Sequence, residues 1–230
     1  MNEFDLKKLV AQASSWEMIR ALGGIGILCS ILIVFAFQVT LPIIEKNKTE
    51  YLEKSIFKVL AGATSRTTYR ITDDSNVELM QADEPKARKV YAGYNDSGEL
   101  VGIAIEASGQ GFQDVIRILY GYSPEKKAVI GFTVLESKET PGLGDKIQND
   151  PAFLSNFEAL DVSLNEGGSA PKNPIEMAKS GNKHNPWQIE AITGATISSR
   201  AVTKIMKQST EELIPIIEKN MQEFKRDETS

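Results

Sequence analysis

Cysteine and histidine are nearly missing from this sequence: Cys29 and His184 are the only residues of their kinds among 230. Iron–sulfur clusters normally take four thiolates, zinc takes several Cys or His, and haem takes an axial ligand. No metal site is therefore expected, and an electron carrier held here would have to be organic. A lone cysteine leaves no disulfide to infer. His184, in Asn182-Lys183-His184-Asn185-Pro186, reads as a solvated loop residue. Basic clusters are also lacking. The 26 Lys and Arg are outnumbered by 31 Asp and Glu, and the formal net charge of −5 comes with mixed signs along the chain. No nucleic-acid partner is expected from such a surface.

What the chain does have is 41% hydrophobic and 25% charged residues, enough for one sizeable folded domain plus an appendage. The appendage is a run without charge, residues 21–44, between Arg20 and Glu45. Its length suits a single transmembrane helix in the roughly 30 Å lipid core. A cleaved signal peptide competes with that reading. The run exceeds the usual h-region, and Phe35-Ala36-Phe37-Gln38-Val39 offers no small-x-small cleavage site, so an uncleaved anchor in membrane lipid is expected. Lys7, Lys8 and Arg20 precede the run and Lys46, Lys48, Lys54 and Lys58 follow it, so the positive-inside rule does not fix its orientation.

Residues 45–61 read as a helix with Pro42 suited to its first turn. Residues 89–94 and 100–107 form a predicted hairpin around Asn95-Asp96-Ser97-Gly98. A second, 115–122 and 129–135, turns at Ser123-Pro124-Glu125-Lys126-Lys127, with Gly109 and Gly111 in the link between them. A short helix over 151–160, a surface excursion over 165–185 and a strand over 187–192 follow. The last helix carries Val202, Ile205, Met206 and Leu213 on one face, and Pro215 ends or kinks it. Pro42-Ile43-Ile44-Glu45-Lys46-Asn47 recurs as Pro215-Ile216-Ile217-Glu218-Lys219-Asn220, which reads as two similar helix starts. The fold class is α+β, with antiparallel strands and separate helices behind one membrane helix. The expected organisation is an N-terminal segment 1–20, membrane helix 21–44, juxtamembrane helix and linker 45–85, main domain 86–214 and helical tail 215–230.

Two strings carry chemistry. Thr193-Gly194-Ala195-Thr196-Ile197-Ser198-Ser199 stands at the start of the last helix. Free N–H groups and the helix dipole favour an anion there, and Thr196 would stand against a bound phosphate. Simple capping of the helix is the other use of such a cluster. Upstream, Ser137-Lys138-Glu139-Thr140-Pro141-Gly142-Leu143-Gly144-Asp145-Lys146-Ile147 is a strand end and turn. Its Pro and Gly residues let backbone pass close to a flat ring that Leu143 could lie against, or they make an ordinary turn.

The first string resembles the flavinylation signature Ser/Thr-Gly-Ala-Thr-x-Ser/Thr of the Rnf complex G subunit and of the related C subunit of the sodium-pumping NADH:quinone oxidoreductase. The second resembles the Lys-Glu-Thr-Pro-Gly-Leu-Gly-Asp-Lys loop of the same family. The resemblance implies an FMN-binding domain with FMN held covalently through a phosphoester on Thr196, loaded from FAD by a separate flavin transferase with a divalent metal. It implies that Thr193, Gly194, Ala195 and Ser198 surround the attachment point and that Glu139, Thr140, Gly142, Leu143 and Gly144 meet the flavin.

No catalytic residue is implied, because this family's protein passes electrons within an ion-translocating ferredoxin/NAD oxidoreductase. Its partners would be other membrane subunits of that complex, one also bearing covalent FMN. The site would lie outside the cytoplasm of a bacterial cell, on the outer face of the inner membrane, with a cytoplasmic N-terminus. The C subunit of the quinone reductase is the alternative, and a non-enzymatic membrane-anchored flavin sensor is another. About twenty residues ahead of the membrane run are too few for a sensor's folded output domain. The chain departs from the family at Ser137, where His is frequent, and at Glu190, where Asp is usual. Gly109-Gln110-Gly111-Phe112 matches a family Gly-Tyr-Gly-Gly string only in part, and reads either as a plain loop or as a contact for the flavin ring.

Overall fold

A computed structural model describes residues 15–80, 84 and 87–225. Lys7, Lys8 and residues 226–230 lie outside them, as does most of the N-terminal segment. The chain divides into two units at Glu50.

Helix α1 (Ser15–Val59) contains the uncharged run. Its residues 15–50 are exposed, and it is the one helix among the described residues long and apolar enough to cross a membrane. At about 1.5 Å per residue, the run 21–44 extends about 36 Å. Two hydroxyls inside it are satisfied locally: Ser30 donates to the Gly26 carbonyl at 2.8 Å and Thr40 to the Ala36 carbonyl at 2.9 Å. Pro42 does not begin a second helix. It lies inside α1, where its missing N–H deprives the Gln38 carbonyl of its usual partner, an interruption that membrane helices tolerate.

In the second unit, seven antiparallel strands form one sheet: β1 (Ser65–Ile71), β2 (Val77–Leu79), β3 (Arg88–Tyr94), β4 (Leu100–Gln110), β5 (Val115–Ser123), β6 (Ala128–Glu136) and β7 (Leu160–Asp161), in the order β2-β1-β3-β4-β5-β6-β7. The expected α+β class is what the chain adopts. The two hairpins are not separate, however. β4 pairs with β5 from Ile103↔Tyr122 to Gln110↔Val115, so the link shrinks to residues 111–114. Gly109 belongs to β4, and a Cβ there would stand 2.7 Å from Ile205 Cγ1. It is a close-packing residue rather than a link. β1 and β2 fall within the stretch read as juxtamembrane helix and linker. A short parallel pair joins β8 (Glu176–Ala178), which lies inside the predicted surface excursion, to β9 (Gln188–Glu190), the strand expected over 187–192.

Alternation along the strands gives the sheet two apolar faces. Val90, Ala92, Ile103, Ile105, Ile118 and Tyr120 point into the main core, which the final helix α3 (Thr196–Lys219) covers with Val202, Ile205, Met206, Leu213, Ile214 and Ile217. A shorter helix, α2 (Pro151–Leu154), precedes it in the chain. The strand neighbours Tyr91, Ala104 and Leu119 face the other way and pack against Ile56, Val59 and Leu60. This second contact is close because four glycines lie under it. A Cβ on Gly93 would stand 2.7 Å from Leu60 Cδ1, one on Gly102 3.0 Å from Leu60 Cδ2, and one on Gly131 2.7 Å from Val59 Cα. Gly121 meets the Val59 carbonyl in the same way.

Pro215 neither ends α3 nor starts a helix, since α3 continues to Lys219. The recurrent Pro-Ile-Ile-Glu-Lys-Asn string therefore begins inside a helix in both places. Past Pro215, burial of the residues that follow holds the helix together. Ile217 and Phe224 are fully buried, and the Phe224 ring meets Tyr69 edge-on at 4.9 Å. The Phe224 carbonyl accepts the Tyr94 hydroxyl at 2.9 Å.

Candidate functional site

β6 delivers the chain into residues 137–144, where the Leu143 N–H reaches the Thr140 carbonyl at 3.1 Å and closes a turn. Gly142 sits in it at φ 76°, a conformation that costs a residue with a Cβ. Glu139 turns inward and is only 5% exposed. Its Oε1 accepts the N–H groups of Phe112 at 2.8 Å and Gln113 at 3.1 Å, and its Oε2 accepts the Ser198 hydroxyl. Thr140 Oγ1 accepts the Gln113 side-chain amide at 3.0 Å. Lys138 pairs with Asp114 at 2.5 Å. This pair holds the Asp114 carboxyl below its ordinary value and pushes the Lys138 ammonium up. The 111–113 link, the 137–144 loop and the first turn of α3 thus meet on one buried carboxylate.

β9 leads into the opposite wall. The Ala195 N–H reaches the Ile192 carbonyl at 3.0 Å in a turn with Gly194 at φ 85°, and α3 starts immediately after it. Its N-cap, Ala195, has no acceptor side chain, and no side chain caps the helix. The capping use of the Ser/Thr cluster is thereby not the one adopted. The first helical bond joins the Ser199 N–H to the Ala195 carbonyl at 2.9 Å. The N–H groups ahead of it, on Thr196, Ile197 and Ser198, take no acceptor from the helix itself. Ser199 braces the turn, accepting the Ile192 N–H at 3.1 Å and donating to the Ala195 carbonyl at 3.0 Å. Thr196 is exposed while Ser198 and Ser199 are buried.

Between the two walls lies a cavity of about 330 Å³ lined by Phe112, Glu139, Thr140, Leu143, Gly144, Gly194, Ala195, Thr196, Ile197 and Ser198. Eight of these are residues singled out from the sequence. Gly142 and Thr193 line instead a neighbouring cleft of about 610 Å³ with Asp145, Lys146 and Glu190. Phe112 and Ile197, 61% and 54% exposed, were missed. Phe112 ends the partly matching Gly109-Gln110-Gly111-Phe112 string, which was the signal for it. Among the described residues, no Lys or Arg lines the cavity. A wider groove, about 900 Å³, is lined by Arg70, Glu84, Arg88 and Glu212, but those groups are already joined in Arg70–Glu84 and Arg88–Glu212 ion pairs.

The residues fit an elongated organic phosphate. An open helix start and an exposed hydroxyl suit its anionic end, and Leu143, Ile197 and Phe112 suit a flat apolar end. Glu190, the departure from the family pattern, accepts the Gly181 N–H at 2.6 Å and so serves the fold next to the site.

Residues 111–211 match the FMN-binding domain family. The G subunit of the ion-translocating oxidoreductase complex of Methanosarcina acetivorans is 29% identical over 174 residues, covering 76% of this chain and 79% of that protein. The protein of the same name from Haemophilus influenzae is 32% identical over 195 residues, covering 82% of this chain and 84% of its own length. Among solved structures, the crystal structure of Shewanella oneidensis NqrC has the same fold, with a TM-score of 0.60 at 18% identity over 78% of this chain and 96% of that one. By the extent and identity of the match to the Haemophilus protein, the chain belongs to the family of G subunits of ion-translocating oxidoreductase complexes.

Proposed function

We propose that this chain is a membrane-anchored electron-transfer subunit of an ion-translocating oxidoreductase complex and that it carries FMN covalently on Thr196. What carries the reading is the setting of Thr196, an exposed residue at an uncapped helix start, beside an apolar cavity that no cationic side chain lines among the described residues. A free flavin phosphate would find no Lys or Arg to hold it, so a covalent bond is the means of retention this site favours. Bound FMN supplies redox chemistry that accepts electrons singly or in pairs. In loading, Thr196 Oγ would take the FMN phosphoryl group from FAD, the new O–P bond replacing the bond to the AMP half, with AMP as leaving group and the hydroxyl proton released to the flavin transferase.

Helix α1 anchors the chain through residues 21–44, with the domain outside the cytoplasm. Its partners are the transferase and the other membrane subunits, among them a second one with covalent FMN. The protein expressed with flavin transferase should show an FMN adduct on the Thr196 peptide by mass spectrometry, absent in Thr196→Ala. An adduct on Thr193 or Ser198 instead, or none, overturns the assignment.

A further inference from the structure

Among the described residues, Glu139 is the only acidic one lining the cavity, and nothing basic lines it. Its carboxylate is enclosed by donors alone: two backbone N–H groups on Oε1 and the Ser198 hydroxyl on Oε2. That arrangement satisfies a group that only accepts, the ionised form. Space is set for it on both sides. A Cβ on Gly111 would stand 2.6 Å from Oε1, and one on Gly144 would stand 2.7 Å from Oε2. Three segments far apart in sequence are therefore fitted around one carboxylate whose charge has no counter-ion in the cavity.

We propose that Glu139 is a positioning residue with two effects: it locks the 111–113 link, the 137–144 loop and the start of α3 together, and its unneutralised charge lowers the reduction potential of a flavin seated in the cavity. The second effect rests on the reading that Thr196 carries FMN. Adding an electron next to a fixed negative charge is disfavoured, and the effect is largest where water is excluded. Ser198 moderates it, because its hydroxyl hydrogen lies against Oε2.

Glutamine separates the two effects. In Glu139→Gln the side-chain carbonyl can accept the Phe112 and Gln113 N–H groups and the amide can donate to Ser198, so the lock survives without the charge. Glu139→Ala removes both. Ser198→Ala keeps the charge and strips one donor from it.

Full-length protein without transferase tests the lock free of any flavin. Glu139→Ala should melt about 5 °C or more below the parent, and Glu139→Gln should stay close to it. Equal melting of all three overturns the lock. Protein loaded by the transferase tests the charge. The one-electron equilibrium of Glu139→Gln should favour reduction about tenfold or more over the parent, a rise of about 59 mV for each factor of ten, and Ser198→Ala should shift the other way. Unchanged potentials in fully loaded Glu139→Gln and Ser198→Ala overturn the charge effect while leaving Thr196 as the attachment point. A parent chain that takes up no FMN overturns the reading of the site instead, and the flavin-free melts still decide the lock.

Discussion

The side chain of Asn156 pairs with the backbone of Glu190 as a neighbouring strand would. Its Oδ1 accepts the Glu190 N–H at 3.0 Å and its Nδ2 donates to the Glu190 carbonyl at 3.3 Å. The amide also donates to the Phe153 carbonyl at 2.9 Å, and Lys183 Nζ donates to Oδ1 at 3.0 Å. Burial pushes the Lys183 ammonium below its ordinary value. β9 is three residues long and has β8 along one side. Asn156 supplies the missing pairing at its last residue, just before the turn that presents Thr196.

Removing that side chain takes these partners from the part-buried Glu190 N–H and carbonyl, and each group left unpaired costs about 1–3 kcal/mol. Asn156→Ala should therefore destabilise the domain by about 2–4 kcal/mol in denaturant unfolding. Asn156→Asp keeps the acceptor for the Glu190 N–H and for Lys183 but loses the donors, so it should fall between. If both variants unfold with the parent, this pairing does not hold β9.

The glycine row under residues 56–60 makes an equally specific demand. A methyl on Gly131 meets Val59 backbone, with Cα at 2.7 Å, and backbone cannot turn aside as a flexible side chain could. Gly131→Ala should cost about 1–3 kcal/mol as overpacking. Gly167→Ala is the control, since the nearest atom to its Cβ would be Asn165 Oδ1 at 3.7 Å, an ordinary contact. Equal stabilities of the two variants would mean that the helix end is not seated against the sheet.

Much of this architecture was legible in the sequence, and the gaps have physical causes. The membrane run and β3 to β6 announce themselves through long apolar stretches and turn residues. β1, Ser65-Arg66-Thr67-Thr68-Tyr69-Arg70-Ile71, does not, because only Tyr69 and Ile71 are buried and the rest face partly outward. The helix starts read at both prolines misled for one reason: proline is favoured in a first turn, and local pattern does not show what lies beyond it. Tertiary burial of Ile214 and Ile217 keeps α3 helical past Pro215. The loop and helix-start strings could be read as local motifs, whereas their meeting at Glu139 depends on Ser198, 59 positions away, and on Phe112. Local pattern carries no sign of such a contact.

Arg88 on β3 and Glu212 on α3 join sheet to helix, one contact being 2.6 Å from Nη2 to Oε2. The Arg88 hydrogen bond holds the Glu212 carboxyl below its ordinary 4.5. A carboxylate lowered in the folded state contributes stability that is complete above the unfolded value and disappears as pH falls through the folded one. The parent should therefore exceed Glu212→Gln in melting temperature at about pH 7, and the gap should close below about pH 4.5. Glu212 is half-exposed, so the gap should correspond to no more than about 1 kcal/mol. A gap that persists unchanged in acid would assign the effect to packing rather than to charge.

Leu143 offers the most direct check on where a flavin ring lies. It is 53% exposed and lines the cavity without belonging to the buried core, so a polar replacement should leave the fold intact. Leu143→Asp should melt within about 2 °C of the parent, in line with the small cost of surface changes. In protein loaded on Thr196, the same substitution removes apolar surface from the cavity and adds a second negative charge beside Glu139. The FMN adduct should remain by mass spectrometry, while the flavin absorption bands shift and the reduction potential falls. An adduct with unaltered spectrum and potential would place the ring outside this cavity, with the neighbouring cleft lined by Gly142 and Thr193 as the next position to probe.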